Sequence, residues 1–396
     1  MPSSDEFLPF SRPSITDREK QAVLEVLESG WLTTGPKARE FEERFAAFVG
    51  SGHAVAVNSA TAALHLALEA LSVRAGDEVV IPTWTFASTA SVAVWQGARP
   101  VLVDVDGPSL NATPDALLSA ITRRTKAIIA VHLGGLPMDI RALVAGATDR
   151  GVPVIEDSAH AFPSRLGGPA GRYAGTIGAA GAFSFYATKT ITTGEGGMLV
   201  TDDSAIAERA RLMSLHGMSR SAWNRYASTG SWQYDIEEAG FKYNLTDLAA
   251  AIGLVQLSRA EQLLEARRRL AQRYSSLFAA SRAADLVELP RDPADGSHAW
   301  HLYIVRLATD RLSVGRAEVI EALRERGIGA SVHFIPLHLH PFYRRVLGSS
   351  AQPDRFPIAT REYERVISLP LWPGMEPTDQ ERVVEALEAI LDRQRR

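Results

Sequence analysis

Short apolar runs alternate with amphipathic stretches from about residue 37 to residue 201, and the order repeats along that span. The spacing predicts a helix over Lys37 to Val49, a strand over His53 to Val57 and a helix over Thr61 to Leu71. A strand at Glu78 to Ile81 and a helix at Phe86 to Trp95 come next. Further strands are predicted at Pro100 to Asp104, Ala127 to His132, Pro153 to Glu156, Ala182 to Phe185 and Met198 to Thr201, with a helix over Met138 to Arg150. Strand-then-helix order of this kind forces right-handed crossovers. The expected class is therefore α/β, with a mostly parallel sheet covered by helices on both faces.

After Asn244 the texture changes. Leu245 to Ala280 is rich in Ala, Leu, Gln, Glu and Arg and predicts one or two long helices linking two units. Within it, the charged run EQLLEARRRLAQR reads as a solvated helix face. Beyond Leu289 to Gly296 the pattern predicts a strand (His301 to Leu307), a helix (Gly315 to Arg326), strands at Gly329 to Phe334 and Val366 to Leu369, and a last helix (Asp379 to Asp392). We expect a large domain over residues 1–265 and a small α+β domain over 266–396, with the residues before about position 30 packing on the small one.

Length agrees with that division, since 396 residues allow two or three domains of roughly 150 each. Basic and acidic residues nearly balance at a net charge of −4, too little positive field to hold a nucleic acid or an anionic membrane. No cysteine is present, which excludes disulfides, thiolate metal sites and thiol catalysis and suits a reducing compartment. The opening MPSSDEFLPF has no signal pattern, and no apolar run reaches the roughly 18 residues needed to span a bilayer, so a cytoplasmic location is expected.

Ligands of open parallel sheets sit beyond the carboxyl ends of the strands, which directs attention to four short segments. Asn58-Ser59-Ala60-Thr61 opens a helix with small residues; it is either an ordinary N-cap or a cradle of amides for a phosphate. Asp157 in PVIEDSAH follows a buried run and either caps the next helix or faces a cation; Glu156 before it must point to the opposite face. Lys189 in FSFYATKTITTGEGG is either a solvated surface amine or a partly buried one able to condense with a carbonyl. In PTWTFAST, Trp84 and Phe86 compete as the aromatic that stacks on a planar ring, with core packing open to both. One ligand accounts for all four segments: a planar, phosphorylated, carbonyl-bearing cofactor whose ring nitrogen an acid keeps protonated, as in pyridoxal phosphate (PLP).

The chain resembles the DegT/DnrJ/EryC1/StrS aminotransferases, which act on nucleotide-linked keto sugars. The signposts lie in order along nearly the whole chain, among them SGWLTTGPKAREFE, NSATAALHLAL, GDEVVIPTWTFAST, VIEDSAHAF, AFSFYATKTITTGEGG, GFKYNLTDLAAAIGLVQL and HAWHLYIVR. GWLTTGP, GFKYNLTD and HAWHLYIVR look most like the branch that aminates the 4-position of a UDP-linked 4-keto-pentose. The resemblance implies a fold-type I architecture with Lys189 carrying PLP and later shuttling a proton. It implies Asp157 on the pyridine nitrogen, Ser184 and the amides of Ala60 and Thr61 on the phosphate, Phe86 stacked on the ring and His160 near the 3-hydroxyl. Asn244 would reach the phosphate of a neighbouring subunit, making the active unit a homodimer. Thr34, Lys242 and His333 would face the sugar nucleotide. Three positions depart from the family's usual residues: Ala60 in the cradle, Ser158 after the acid and Leu136 after HLGG.

The implied reaction moves an amine from an amino acid, taken as glutamate, to a nucleotide-linked 4-keto sugar, giving a 4-amino-deoxy sugar for glycan or natural-product synthesis. Keto-sugar dehydratases of the same fold carry His where Lys189 stands, so the lysine favours transamination. A regulator that keeps the fold without catalysis predicts a damaged constellation, whereas Lys189, Asp157 and Ser184 are all present. A zinc hydrolase built on His333, His338 and His340 is disfavoured by Pro336 and Pro341, which break the strand that would align the last two. No metal is expected. His298 and His301 read as residues leading into a strand, with core or interface roles.

Overall fold

The computed structural model describes residues 7–168, 170–218 and 235–396. Seven strands form the main sheet: β1 (His53–Val57), β2 (Glu78–Pro82), β3 (Arg99–Val103), β4 (Thr125–Val131), β5 (Val154–Asp157), β6 (Ala180–Ser184) and β7 (Gly197–Thr201), in the spatial order β1-β7-β6-β5-β4-β2-β3. β3, β2, β4, β5 and β6 run parallel, and β7 is antiparallel to both of its neighbours. The reversal has a local cause. β6 and β7 are joined by the short segment 185–196 rather than by a crossover helix, and a short connection can only return the chain antiparallel. That segment carries Lys189 and so holds it at the same edge as the carboxyl ends of β2, β4 and β5.

Strands covered on both faces should be apolar throughout, and the buried runs Val79–Ile81 in β2 and Ala127–Val131 in β4 are. On one face the helix Ala60–Ala70 packs with Val79, Ile129 and Leu199; Ala62 to Leu68 are all buried, so it is a core helix rather than an amphipathic one. On the other face, toward the β1 edge, Phe45 of the helix Pro36–Val49 lies within 5.5 Å, ring to ring, of Phe162, Phe183 and Phe185.

The second unit holds an antiparallel sheet of β8 (Val287–Glu288), β9 (Tyr303–Leu307) and β10 (Val366–Leu369), in the order β10-β9-β8, backed by the helices Arg316–Glu325 and Pro377–Gln394. The helix Ala260–Ala280 belongs to both units. Its Ala260 and Leu263 sit in the aromatic core of the large unit, and its Ala271, Tyr274 and Phe278 in the core of the small one. The expected boundary after residue 265 lies within this helix.

Two sequence expectations change. The strand at Gly329 to Phe334 does not form: only Ser331 bridges to Ser368, and the chain then turns across a cis peptide between His333 and Phe334. The run lies at the rim of the cavity described below, where His333 and Phe334 turn inward instead of continuing a ladder. The N-terminal residues are also divided rather than all packed on the small unit. Leu8 bridges to Ile328 there, whereas the helix Asp17–Ser29 is tied to the large unit, its Glu19 bonded to Gln256 and paired with Arg259. No helix among the described residues is long and apolar enough to cross a membrane.

Candidate active site

A cavity of about 580 Å³ opens where the carboxyl ends of β2, β4, β5 and β6 meet the small unit. One wall is the start of the helix Ala60–Ala70. Ser59 caps that helix by accepting from Ala62 N at 3.1 Å, and Ala60 and Thr61, whose first-turn amides have no intrahelical acceptor, line the cavity. The start of β7 passes close behind: a Cβ on Gly197 would lie 2.5 Å from Ala60 N, so only glycine lets the strand run against this turn. Ser184, the last residue of β6, reaches the same wall.

β5 ends in two acids on opposite faces, as pleating requires. Glu156 points away from the cavity and is saturated: Oε1 accepts from Ile177 N (2.6 Å) and Gly178 N (2.7 Å), and Oε2 accepts from Gly175 N (2.7 Å) and His132 Nε2 (2.9 Å). His132 Nδ1 accepts from Met138 N, which leaves the hydrogen on Nε2 to donate. Burial disfavours the charge on Glu156, yet the His132 contact and the amides outweigh it and hold its pKa below the ordinary value. Asp157 turns into the cavity with fewer partners. It accepts from Thr89 Oγ1 at 2.8 Å and Ala159 N at 3.2 Å, and burial raises its pKa above the usual carboxylate range. Thr85 donates in turn to Thr89, at 2.7 Å.

Lys189 lines the same cavity. The turn bond from Lys189 N to Tyr186 O and the bonds from Phe185 N to Gly196 O and Thr193 N to Phe185 O fix the segment that carries it. Burial pulls its amine down to about 7; the Asp157 charge works against this, and the Arg267 cation adds to it. Three histidines gather around the amine. His301 Nε2 is 3.4 Å from Lys189 Nζ, the His160 ring lies 4.4 Å from the His301 ring, and His333 stacks on Phe10 at 4.8 Å. Burial, reinforced by the lysine charge, lowers all three pKa values, that of His333 to about 4, so the imidazoles are neutral at pH 7. His160 Nδ1 accepts from Gly134 N at 3.2 Å.

Ala60, Thr61, Phe86, Asp157, His160, Ser184, Lys189 and His333 thus border one cavity. Between the competing aromatics the structure separates roles: Trp84 is core, 1% exposed and donating to His333 O, whereas Phe86 is 56% exposed at the cavity mouth, its ring 5.1 Å from Phe334. Thr34, Lys242 and Asn244 lie outside this cavity and cluster with one another. Asn244 Nδ2 donates to Thr34 Oγ1 at 2.6 Å, and Lys242 Nζ donates to Asn244 Oδ1. His338 is buried with both nitrogens bonded, to Thr83 and Thr360, and His340 donates to Ile335 O. Among the described residues no group of three or more His, Cys, Asp or Glu could hold a metal.

His301, expected in a core or interface role, faces the lysine where the two units meet. Thr89 was missed; its place one turn into a helix after PTWTF was the available signal. Arg267 reverses an expectation: within the supposedly solvated run it is 2% exposed.

The residues present fit PLP. Buried Asp157 has no cationic hydrogen-bond partner among the described residues, as an acid awaiting a protonated ring nitrogen should, and the buried His301 Nδ1 has no hydrogen-bond partner. Helix-start amides on the wall suit a phosphate, and a partly buried amine of lowered pKa suits condensation with an aldehyde.

Known proteins agree with this chemistry. Residues 13–388 match the DegT/DnrJ/EryC1/StrS aminotransferase family. The chain is 48% identical over 388 residues to the spore coat polysaccharide biosynthesis protein SpsC of Bacillus subtilis, covering 98% of both chains. Among solved structures it is similar to the aminotransferase TlmJ from Streptoalloteichus hindustanus (35% identity, TM-score 0.87, covering 98% of this chain and 99% of that one). It is equally similar to Spr1654 of Streptococcus pneumoniae, described as a sugar aminotransferase and solved in a PLP form (33% identity, TM-score 0.88, covering 98% and 99%) and in a PMP form. The chain therefore belongs to the DegT/DnrJ/EryC1/StrS aminotransferase family and is a PLP-dependent sugar aminotransferase.

Proposed function

We propose that the protein transfers the amine of glutamate to a nucleotide-linked 4-keto sugar, leaving 2-oxoglutarate and a 4-amino-deoxy sugar for a surface glycan. The observation that carries this reading is the pairing, across one cavity, of a buried acid that lacks a cation with an amine of lowered pKa. When bound, PLP supplies an aldehyde to hold the migrating amine and a ring to absorb electron density.

The chain's own groups supply the rest. Asp157, oriented by Thr89 and Ala159 N, would keep a proton on the ring nitrogen. The amides of Ala60 and Thr61 with Ser184 would hold the phosphate, and Phe86 would pack against the ring. Lys189, with a pKa near 7, gains and loses a proton at Nζ near neutral pH, as an acid-base group must. Neutral His160 borders the site without adding a charge that would compete with Asp157.

The sugar nucleotide enters past Phe86 and Phe334, with His333 beside it. Thr34, Lys242 and Asn244 act on the site of a second subunit, so the active unit is a homodimer. Their clustering with one another outside the cavity of their own chain supports this. Similarity to a spore coat polysaccharide protein supports a glycan destination, and the HAWHLYIVR block supports UDP-linked 4-keto-pentose as the acceptor.

The test is incubation with glutamate and a panel of UDP- and TDP-linked 4-keto sugars, followed by product masses. Amino sugar from a 4-keto acceptor supports the proposal. Deoxy sugar, or no amino sugar from any 4-keto acceptor, overturns it.

A further inference from the structure

The helix Ala260–Ala280 buries one cation that the reaction does not call for. Arg267 has no carboxylate partner among the described residues, and burial lowers its pKa to about 10, which leaves it charged at pH 7. Its guanidinium instead donates to four backbone carbonyls. Nη1 reaches Trp300 O (3.2 Å), His301 O (3.3 Å) and Leu371 O (3.1 Å), and Nη2 reaches Thr188 O (3.4 Å). Burying an unpaired cation is unfavourable, and an apolar side chain would fill the space at less cost. What Arg alone offers is a rigid fork that can bind carbonyls from separate segments at once.

Those segments are informative. Thr188 is the neighbour of Lys189 in the large unit, and His301 is the small-unit residue whose ring lies against the lysine amine. Leu371 follows β10. One side chain therefore grips the backbone on both sides of the Lys189–His301 contact.

We infer that Arg267 is a positioning residue for the cofactor lysine: by binding Thr188 O and His301 O together, it locks the lysine segment onto the small unit and fixes where Lys189 meets the cofactor. The inference rests on the proposed role of Lys189. Its charge has a second effect, because a cation behind the lysine disfavours protonation there. The other groups facing Lys189 are Asp157 from β5, His160 after it, His301 before β9, His333 from the turn that precedes Phe334, and Tyr186 and Glu195 from the lysine's own segment. The Asp157 charge raises the lysine pKa, and the Arg267 cation opposes it.

The experiment compares wild type, Arg267→Lys and Arg267→Met as PLP-loaded full-length proteins. Borohydride reduction followed by peptide mass first locates the cofactor. If wild type carries none on Lys189, the functional reading fails and this inference with it. With that link in place, two quantities are read: the pH midpoint of the bound cofactor's colour change and the rate of cofactor release.

Arg267→Lys keeps the charge but not the fork. Its midpoint should stay at the wild-type value while release quickens about tenfold, the factor for losing one hydrogen bond to a charged group. Arg267→Met loses both, and its midpoint should also rise by roughly half to one pH unit. A purely structural arginine would lower the melting temperature and leave midpoint and release unchanged in both variants, and that result overturns the inference. If Arg267→Met does not fold, wild-type release from Arg267→Lys overturns it alone.

Discussion

At the end of β5 two adjacent acids face opposite sides of one sheet under opposite conditions. Glu156 has every oxygen satisfied by a histidine and three amides, inside a sealed layer. Asp157 has one hydroxyl and one amide, and it looks into a cavity across from a lysine. Burial opposes the charge on both, but only Glu156 has enough donors to win, so the pKa of one falls and that of the other rises. Saturated acids of the first kind hold a fold together. Unsatisfied ones of the second kind need a ligand to complete them.

Substitutions can break this contrast. The largest effect is expected at the amine opposite Asp157: Lys189→Ala should abolish turnover and leave no cofactor fixed by borohydride, while circular dichroism shows an intact fold. A fully active variant would discard the assignment. Asp157→Asn comes next, with a loss of about 10²-fold or more in kcat at near-native melting temperature, as for removal of one preorganised charge. Glu156→Gln should do the reverse, because an amide NH₂ in place of either oxygen would confront two donors, Ile177 N and Gly178 N or Gly175 N and His132 Nε2. Stability should fall by about 3 kcal/mol in denaturant titration, with turnover of the folded fraction within a few-fold of wild type.

A pH series sharpens the lysine side. With its pKa lowered from the ordinary 10.5 to about 7, Lys189 binds fewer protons in the folded than in the unfolded chain between those values. Its contribution to the stability of the cofactor-free protein therefore climbs as pH rises through that window. Lys189→Met should remove the climb, with a stability gain greatest below pH 7 and fading toward pH 10.5. A gain that does not change with pH would refute the lowered pKa. The smallest effect concerns the cluster outside the cavity. Mixed with Lys189→Ala, the Asn244→Ala variant should recover activity if sites are shared between subunits, and should recover none if each chain acts alone.

Much of this was legible along the chain. Short apolar runs located every strand of the main sheet to within a few residues, because buried parallel strands must be apolar throughout and the residues after them must sit at the ligand-binding edge. Asp157, Lys189 and the Ser59 to Thr61 turn were found on that ground. The run from Gly329 to Phe334 misled because alternation describes only local preference, and the ladder it implies was never completed. Arg267 misled for a related reason: a charged residue among charged neighbours reads as solvated, and only the carbonyls of three remote segments make its burial tolerable.

The amino-acid order determined which residues stand at strand ends, since strand position follows from short-range pattern and needs no knowledge of neighbours. Tertiary structure decided what those residues meet. It set Glu156 against amides some 20 positions away, brought His301 across from the small unit to the lysine, and chose Phe86 over Trp84 for the cavity. Contacts between distant segments depend on how whole layers pack, and no local spacing carries that information.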